Sequence, residues 1–200
     1  MAGGDLVLAS ASPRRAKLLR QLGVAFVQHP TDIDETAVPG ESPQDYVVRL
    51  AREKALACEQ ALPDRVRPVL AADTCVVLDE QVLGKPVDAM DALAMLARLS
   101  GREHLVLTAV CLRFRELESE CVSETRVQFI NLQRAQVEAY IATGEPFDKA
   151  GAYAIQGLAA AFVDRLQGSY SGVVGLPLAQ TWNLLQQCGV ATVFEAKPHE

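Results

Sequence analysis

Leu6-Val7-Leu8-Ala9-Ser10-Ala11-Ser12-Pro13-Arg14-Arg15-Ala16-Lys17 reads as a short buried strand that passes, through a tight serine-rich loop, into a helix. Ser12 is a good N-cap, and Pro13 suits the first helical position, where its missing N–H has no partner to lose. A helix start carries roughly half a positive charge, so acids stabilise its first turn. Arg14 and Arg15 stand there instead. Each is disfavoured by about 0.3–1 kcal/mol unless an anion docks among them. Phosphate has the matching chemistry: free backbone N–H groups, serine hydroxyls and two guanidinium forks can hold it. In α/β proteins ligands favour the crevice beyond strand C-termini, where this loop lies. The competing reading is a pair of solvated surface cations that contribute little.

Outward from that stretch, the chain of 200 residues is 50% hydrophobic and 22% charged. That excludes disorder and allows one large domain or two small lobes around a sizeable core. A formal charge of -6 argues against a broad nucleic-acid or membrane surface and leaves room for a local basic pocket. Cys58, Cys75, Cys111, Cys121 and Cys188 are scattered and never spaced C-x-x-C, so neither a disulfide framework nor a zinc cluster is indicated. No basic-plus-apolar leader opens the chain, and no apolar run approaches the ~20 residues of a membrane span. A reducing, cytoplasmic setting is expected.

The first helix reads to about Leu22, stopping at Gly23, and Val24 to Gln28 as a short strand. Residues 29–40 form a loop whose acids, Asp34 and Glu35, matter only if it folds over a site. Ser42-Pro43-Gln44-Asp45 starts a helix with Val47, Leu50, Ala51, Lys54 and Cys58 on one stripe. Lys54 either snorkels at the stripe's edge or points into a polar cleft. After a turn at Asp64-Arg65, Val69 to Leu78 is an apolar strand of the buried kind, interrupted by Asp73. A carboxylate is rarely buried unless paired or metal-bound. Asp73 therefore reads as a catalytic or metal-binding group at a cleft mouth, against the alternative of a structural acid bonded to backbone N–H groups.

Gln81 to Leu83 returns as a short strand, and Gly84-Lys85-Pro86 presents Lys85 on a tight connection. Asp88 caps a helix with Ala89, Ala92, Leu93, Leu96 and Leu99 inward. His104 to Phe114 and Glu120 to Ile130 alternate as an antiparallel hairpin joined by Arg115 to Ser119. The lone His104 is assigned a structural hydrogen bond. A helix spans about Gln133 to Ala142, and the small-residue segment Phe147 to Gly157 marks close backbone approach to a ligand. Its Gln156 either reads a base edge through paired donor and acceptor or is an ordinary loop amide. Ala160 to Leu166 and Ser169 to Val174 read as a second hairpin. Pro177 opens a last helix with Leu178, Trp182 and Leu185 inward, and the tail after Phe194 reads as frayed.

Asp73, Glu35 and the cations Arg14, Arg15, Lys54 and Lys85 are the parts needed for metal-assisted hydrolysis of a phosphoanhydride. No G-x-x-x-x-G-K-[ST] loop, no G-x-G-x-x-G and no nucleophilic Ser or Cys motif occurs, which counts against a P-loop NTPase, a dinucleotide enzyme and covalent catalysis.

Seven motifs then make a resemblance specific: L-A-S-A-S-P-R-R (8–15), D-E-T (34–36), Y-V-V-R-L-A-R-E-K-A (46–55), A-A-D-T (71–74), G-K-P-V-D (84–88), D-K-A-G-A-Y-A-I-Q-G (148–157) and V-V-G-L-P-L (173–178). In this order and over nearly the whole chain, they resemble the Maf family of nucleoside triphosphate pyrophosphatases. The resemblance implies a single domain over 1–200 with an elongated mixed β-sheet, packed helices and two lobes flanking a cleft, similar to inosine triphosphate pyrophosphatases. It implies α–β cleavage to a nucleoside monophosphate and pyrophosphate with Mg²⁺ or Mn²⁺. Arg14, Thr74 and Gln156 match the subtype acting on dTTP and UTP rather than the sister subtype preferring 7-methyl-GTP. By the same carry-over Asp73 is the proton acceptor, Ser10, Arg15, Lys54 and Lys85 hold phosphate, and Glu35 joins Asp73 at the metal. Ala154, Ala159 and Ala160 stand where the family usually has glycine. A homodimer and a house-cleaning role are implied too, with no nucleic-acid or membrane partner. A non-catalytic nucleotide-binding regulator of cell division is the alternative.

Overall fold

The computed structural model describes residues 6–63 and 66–195. The expected turn at Asp64-Arg65 and the end of the tail, 196–200, lie outside the described residues. Strand β1 (Leu6–Leu8), helix α1 (Pro13–Gln21) and strand β2 (Phe26–Gln28) form the opening unit, with β2 parallel to β1. Helix α2 (Pro43–Ala61) leads into β3 (Val69–Leu78), which runs parallel to β1 and turns back as β4 (Gln81–Leu83). Helix α3 (Ala89–Leu99) precedes a long hairpin of β5 (Glu103–Phe114) and β6 (Leu117–Phe129), then α4 (Arg134–Ala142). Short 3-10 turns at Glu145–Asp148, Ala150–Ala152 and Leu158–Phe162 lead to β7 (Val163–Gln167), α5 (Tyr170–Val174) and α6 (Leu178–Gln187). The result is one mixed sheet in the order β2-β1-β3-β5-β6-β7, with β4 paired to β3. No helix of the described residues is long and apolar enough to cross a membrane.

β3 explains why its sequence is apolar almost throughout. Val69, Ala71, Cys75 and Val77 meet Val47, Ala51, Ala55 and Cys58 of α2 on one face. Leu70, Ala72, Val76 and Leu78 pack on the other face with residues of α1, α3, α4 and α6. A strand covered on both faces loses the polar half of its alternation.

The edges of β3 are unequal. Toward β5 it is paired from Val69 to Val77. On the opposite edge β1 reaches only Val69 and Leu70, and β4 only Val76 to Leu78. Among the described residues Ala71 to Cys75 therefore have no strand partner there. Because side chains alternate along a strand, this window sends Asp73 to the α2 face and Thr74 to the other.

Three expectations are corrected. The long hairpin turns at Arg115-Glu116 alone, and Leu117 to Ser119 belong to β6. Arg115 takes a φ of 57°, the left-handed conformation that two-residue turns use to match strand twist. Ser169 to Val174 is not a strand: Ser169 caps α5 by accepting the Gly172 N–H, and hydroxyls of Thr108 and Thr125 donate to the carbonyls of Gly172 and Ser169. β7 pairs with β6 instead. Ala89 is exposed, as are Val87 and Met90 beside it.

His104 has the structural role expected of it. Buried against Phe129, its Nε2 lies 2.8 Å from the Tyr153 hydroxyl, and burial lowers its pKa to about 4.

Leu96 of α3 is fully buried. Leu96→Ala is expected to cost about 2–5 kcal/mol, read as a lower urea midpoint at unchanged slope.

Candidate active site

The window in β3 opens into a cavity of about 630 Å³ whose lining includes Ser10, Arg14, Arg15, Glu35, Lys54, Asp73, Thr74, Lys85 and Gln156. Every site residue expected from the sequence thus faces one space, although they come from separate loops, two helices and a strand.

On the α2 face, the Lys54 ammonium donates to Asp73 Oδ1 at 2.6 Å and lies 2.6 Å from Glu35 Oε1. Its side chain is only 12% exposed, so it points into the cleft and does not snorkel. Asp73 bonds this ammonium rather than backbone N–H groups, and its Oδ2 has no hydrogen-bond donor among the described residues. Glu35 arrives because the 29–42 loop folds inward. The Tyr46 hydroxyl donates to the Glu35 carbonyl at 3.0 Å, while Arg49 donates to the Thr36 carbonyl and grips Glu41. Asp34 stays outside and accepts the Thr36 N–H.

The two acids titrate in opposite senses. Burial pushes the Asp73 carboxyl up, against the pull of Lys54 and Arg15. Partial burial also pushes Glu35 up, but the Lys54 bond together with the charges of Lys54, Lys85 and Arg15 outweighs it and holds that carboxyl below its usual value. Environments that split two carboxylates this way divide base from permanent anion.

On the opposite face Arg15 is held by three bonds: Nε to the Gly175 carbonyl at 2.9 Å, Nη1 to Ser10 Oγ at 3.4 Å and Nη2 to Thr74 Oγ1 at 3.2 Å. A guanidinium has five N–H donors, so further donors remain for a ligand. The first turn of α1 contains no acid, and Ser12 caps it by accepting the Arg15 N–H. Arg14 sits at the rim, 3.8 Å from Asp148. Lys85 and Gln156 are exposed on the cavity lining, and the Gly151 N–H ties their two segments by donating to the Gly84 carbonyl at 3.0 Å. Of the three alanines noted in the sequence only Ala154 lines the cavity.

Sequence reasoning missed Lys149, Tyr46 and Glu145. Lys149 lines the cavity with a side chain 13% exposed and pairs with Asp148; its signal was a lysine among small residues. Tyr46 lies in a quoted motif without having been singled out. Glu145 read only as the end of a helix, yet its carboxylate accepts from the Tyr140 hydroxyl and the Leu158 and Ala159 N–H groups, latching the turn after Gln156.

A metal's fit can be judged from the donors. Glu35 and Asp73 converge on one ammonium, and among the described residues no group of three or more His, Cys, Asp or Glu side chains could hold an ion alone. Two carboxylates are hard oxygen donors, the ligand type that hard divalent cations take.

A profile of the family described as Maf-like protein matches residues 5–188. A protein of Methylobacillus flagellatus named dTTP/UTP pyrophosphatase is 54% identical over 186 residues, 93% of this chain and 94% of its own. One of Anaeromyxobacter dehalogenans with the same name is 54% identical over 194 residues, 95% and 97% of the two chains. Among solved structures the Staphylococcus aureus Ham1 protein is 14% identical, with a TM-score of 0.46 over 63% of this chain and 72% of its own.

A methyl group on Gly157 would stand 2.2 Å from Glu145 Oε1. Gly157→Ala is expected to cost about 1–3 kcal/mol in urea unfolding. Combined with Glu145→Ala it should cost less than the sum of the two single changes, because the clash is gone.

Proposed function

The chain belongs to the Maf family, and from that membership we propose that it is a nucleoside triphosphate pyrophosphatase acting on dTTP and UTP in a house-cleaning role. It cleaves between the α and β phosphates, releasing the nucleoside monophosphate and pyrophosphate. The observation that carries this reading is the single cavity in which Asp73, Lys54 and Glu35 face the Arg15 guanidinium across the β3 window. The names of the relatives favour turnover over a purely regulatory nucleotide binder.

Asp73 is the general base. Lys54 occupies Oδ1 and fixes the carboxylate plane, leaving Oδ2 to take the proton of the attacking water. Arg15, with Ser10 beside it, grips the phosphates, and Lys54, Lys85 and Lys149 add positive charge where negative charge grows in the transition state. Arg14 at the rim and Gln156 on the far wall select the pyrimidine base, and Thr74 belongs to the same specificity set. Glu35 and Asp73 would hold Mg²⁺ or Mn²⁺, which when bound neutralises charge on the phosphates.

Asp73→Asn is expected to lower kcat for pyrophosphate release from dTTP by about 10²- to 10⁴-fold, the usual share of a general base. Release at the wild-type rate would remove Asp73 from this role. The pH dependence has a definite sign. Asp73 accepts a proton only when ionised, and burial raises its pKa against the pull of Lys54 and Arg15, so kcat/KM should fall as pH falls through the titration of this carboxyl. That fall should vanish from the residual activity of Asp73→Asn.

A further inference from the structure

Thr74 and Thr108 stand directly opposite each other on β3 and β5, on the sheet face that carries Arg15. Thr108 is 0% exposed and lies behind the cavity wall. Its hydroxyl donates to the Gly172 carbonyl at 2.8 Å. A hydroxyl has one proton and a carbonyl only accepts, so that proton is spent. In the 3.0 Å contact between Thr74 Oγ1 and Thr108 Oγ1, Thr74 must therefore be the donor.

The direction of the whole chain follows. Arg15 Nη2 donates to Thr74, Thr74 to Thr108, and Thr108 to Gly172 in α5. Gly175, the C-cap of the same helix, accepts from Arg15 Nε. The guanidinium is thus anchored on α5 twice, once directly and once through two threonines, and successive bonds of one polarity strengthen each other.

We propose that Thr108 is a positioning residue for phosphate binding, acting through Thr74 to fix the plane in which Arg15 presents its remaining N–H groups to the triphosphate. This rests on the reading of Arg15 as a phosphate holder. It also redefines Thr74: with its proton committed inward it cannot donate to a base, and it acts on the substrate by orienting Arg15.

The test is titration of inorganic pyrophosphate into the full-length protein, with kcat and KM for dTTP measured in parallel. Thr108→Val is expected to weaken pyrophosphate binding by about tenfold, the upper range for one net hydrogen bond, and to raise KM more than it lowers kcat. Thr108→Ser, which keeps the hydroxyl, restores both. Because Thr108→Val also removes one of the two donors to the Gly172 carbonyl, leaving only the Gly175 N–H, and can lower the melting temperature, Thr74→Val provides a second measurement with that bond intact. It should show the same loss, and adding Thr108→Val to it should weaken binding no further. Wild-type pyrophosphate affinity in Thr108→Val and Thr74→Val, alongside lost affinity in Arg15→Ala, would overturn the relay and leave the phosphate reading standing. Equal losses in Thr108→Ser and Thr108→Val would assign the effect to packing and overturn it too. Wild-type affinity in Arg15→Ala would overturn the phosphate reading itself, and the relay with it.

Discussion

A carboxylate midway along a strand buried on both faces is tolerable only because an ammonium meets it. Isolated in such a place, Asp73 would protonate rather than remain ionised, since the dry interior penalises its charge. Lys54 lies 2.6 Å away, and it comes from α2, the helix that covers that face of the sheet. The pairing therefore depends on the register in which Val47, Ala51, Ala55 and Cys58 dock on β3. Slip α2 by one residue and the stripe turns Lys54 away. Glu35 then shares the same ammonium, which leaves an excess of negative charge that Arg15 and Lys85 temper from the other walls. A well-packed apolar cluster of similar volume is often as stable as a buried ion pair, or more so. The arrangement is best understood as a stability cost held for chemistry.

Much of this was legible in the residues themselves because each piece broke a local rule. Asp73 interrupted an apolar run, Lys54 fell on an inward stripe, and two arginines opened a helix where acids belong. The structure brings these anomalies, with Ser10, Glu35, Thr74, Lys85 and Gln156, onto one cavity. What could not be read obeyed its local rules. Thr108 is an ordinary β-branched strand residue until the bond to Gly172, 64 positions away, is seen. Glu145 closes a helix unremarkably, and only the folded chain sets its carboxylate under the turn after Gln156.

The misread elements have two physical origins. The local pattern of Ser169 to Val174 suits a strand, but Thr108 and Thr125 hold its carbonyls from 64 and 44 residues away, and the Ser169 cap then favours a helical turn. At the tip of the long hairpin a single left-handed residue, Arg115, shortens the turn, and arginine gives no composition signal for that conformation. A contact distant in sequence decides the first outcome, and one residue's local backbone decides the second.

The window in β3 bears on self-association. An open strand edge is the part of a sheet that most readily takes up a foreign strand, and Ala71 to Cys75 form such an edge. Here β1 and β4 close it at both ends, and Arg15 and Lys54 line the space in front of it. An arriving strand would find a short ladder and charged side chains across its path, whereas a compact anion finds counter-charges. The break that makes both faces of β3 reachable is thus short and lined with charge, which makes it a poor template for a foreign strand.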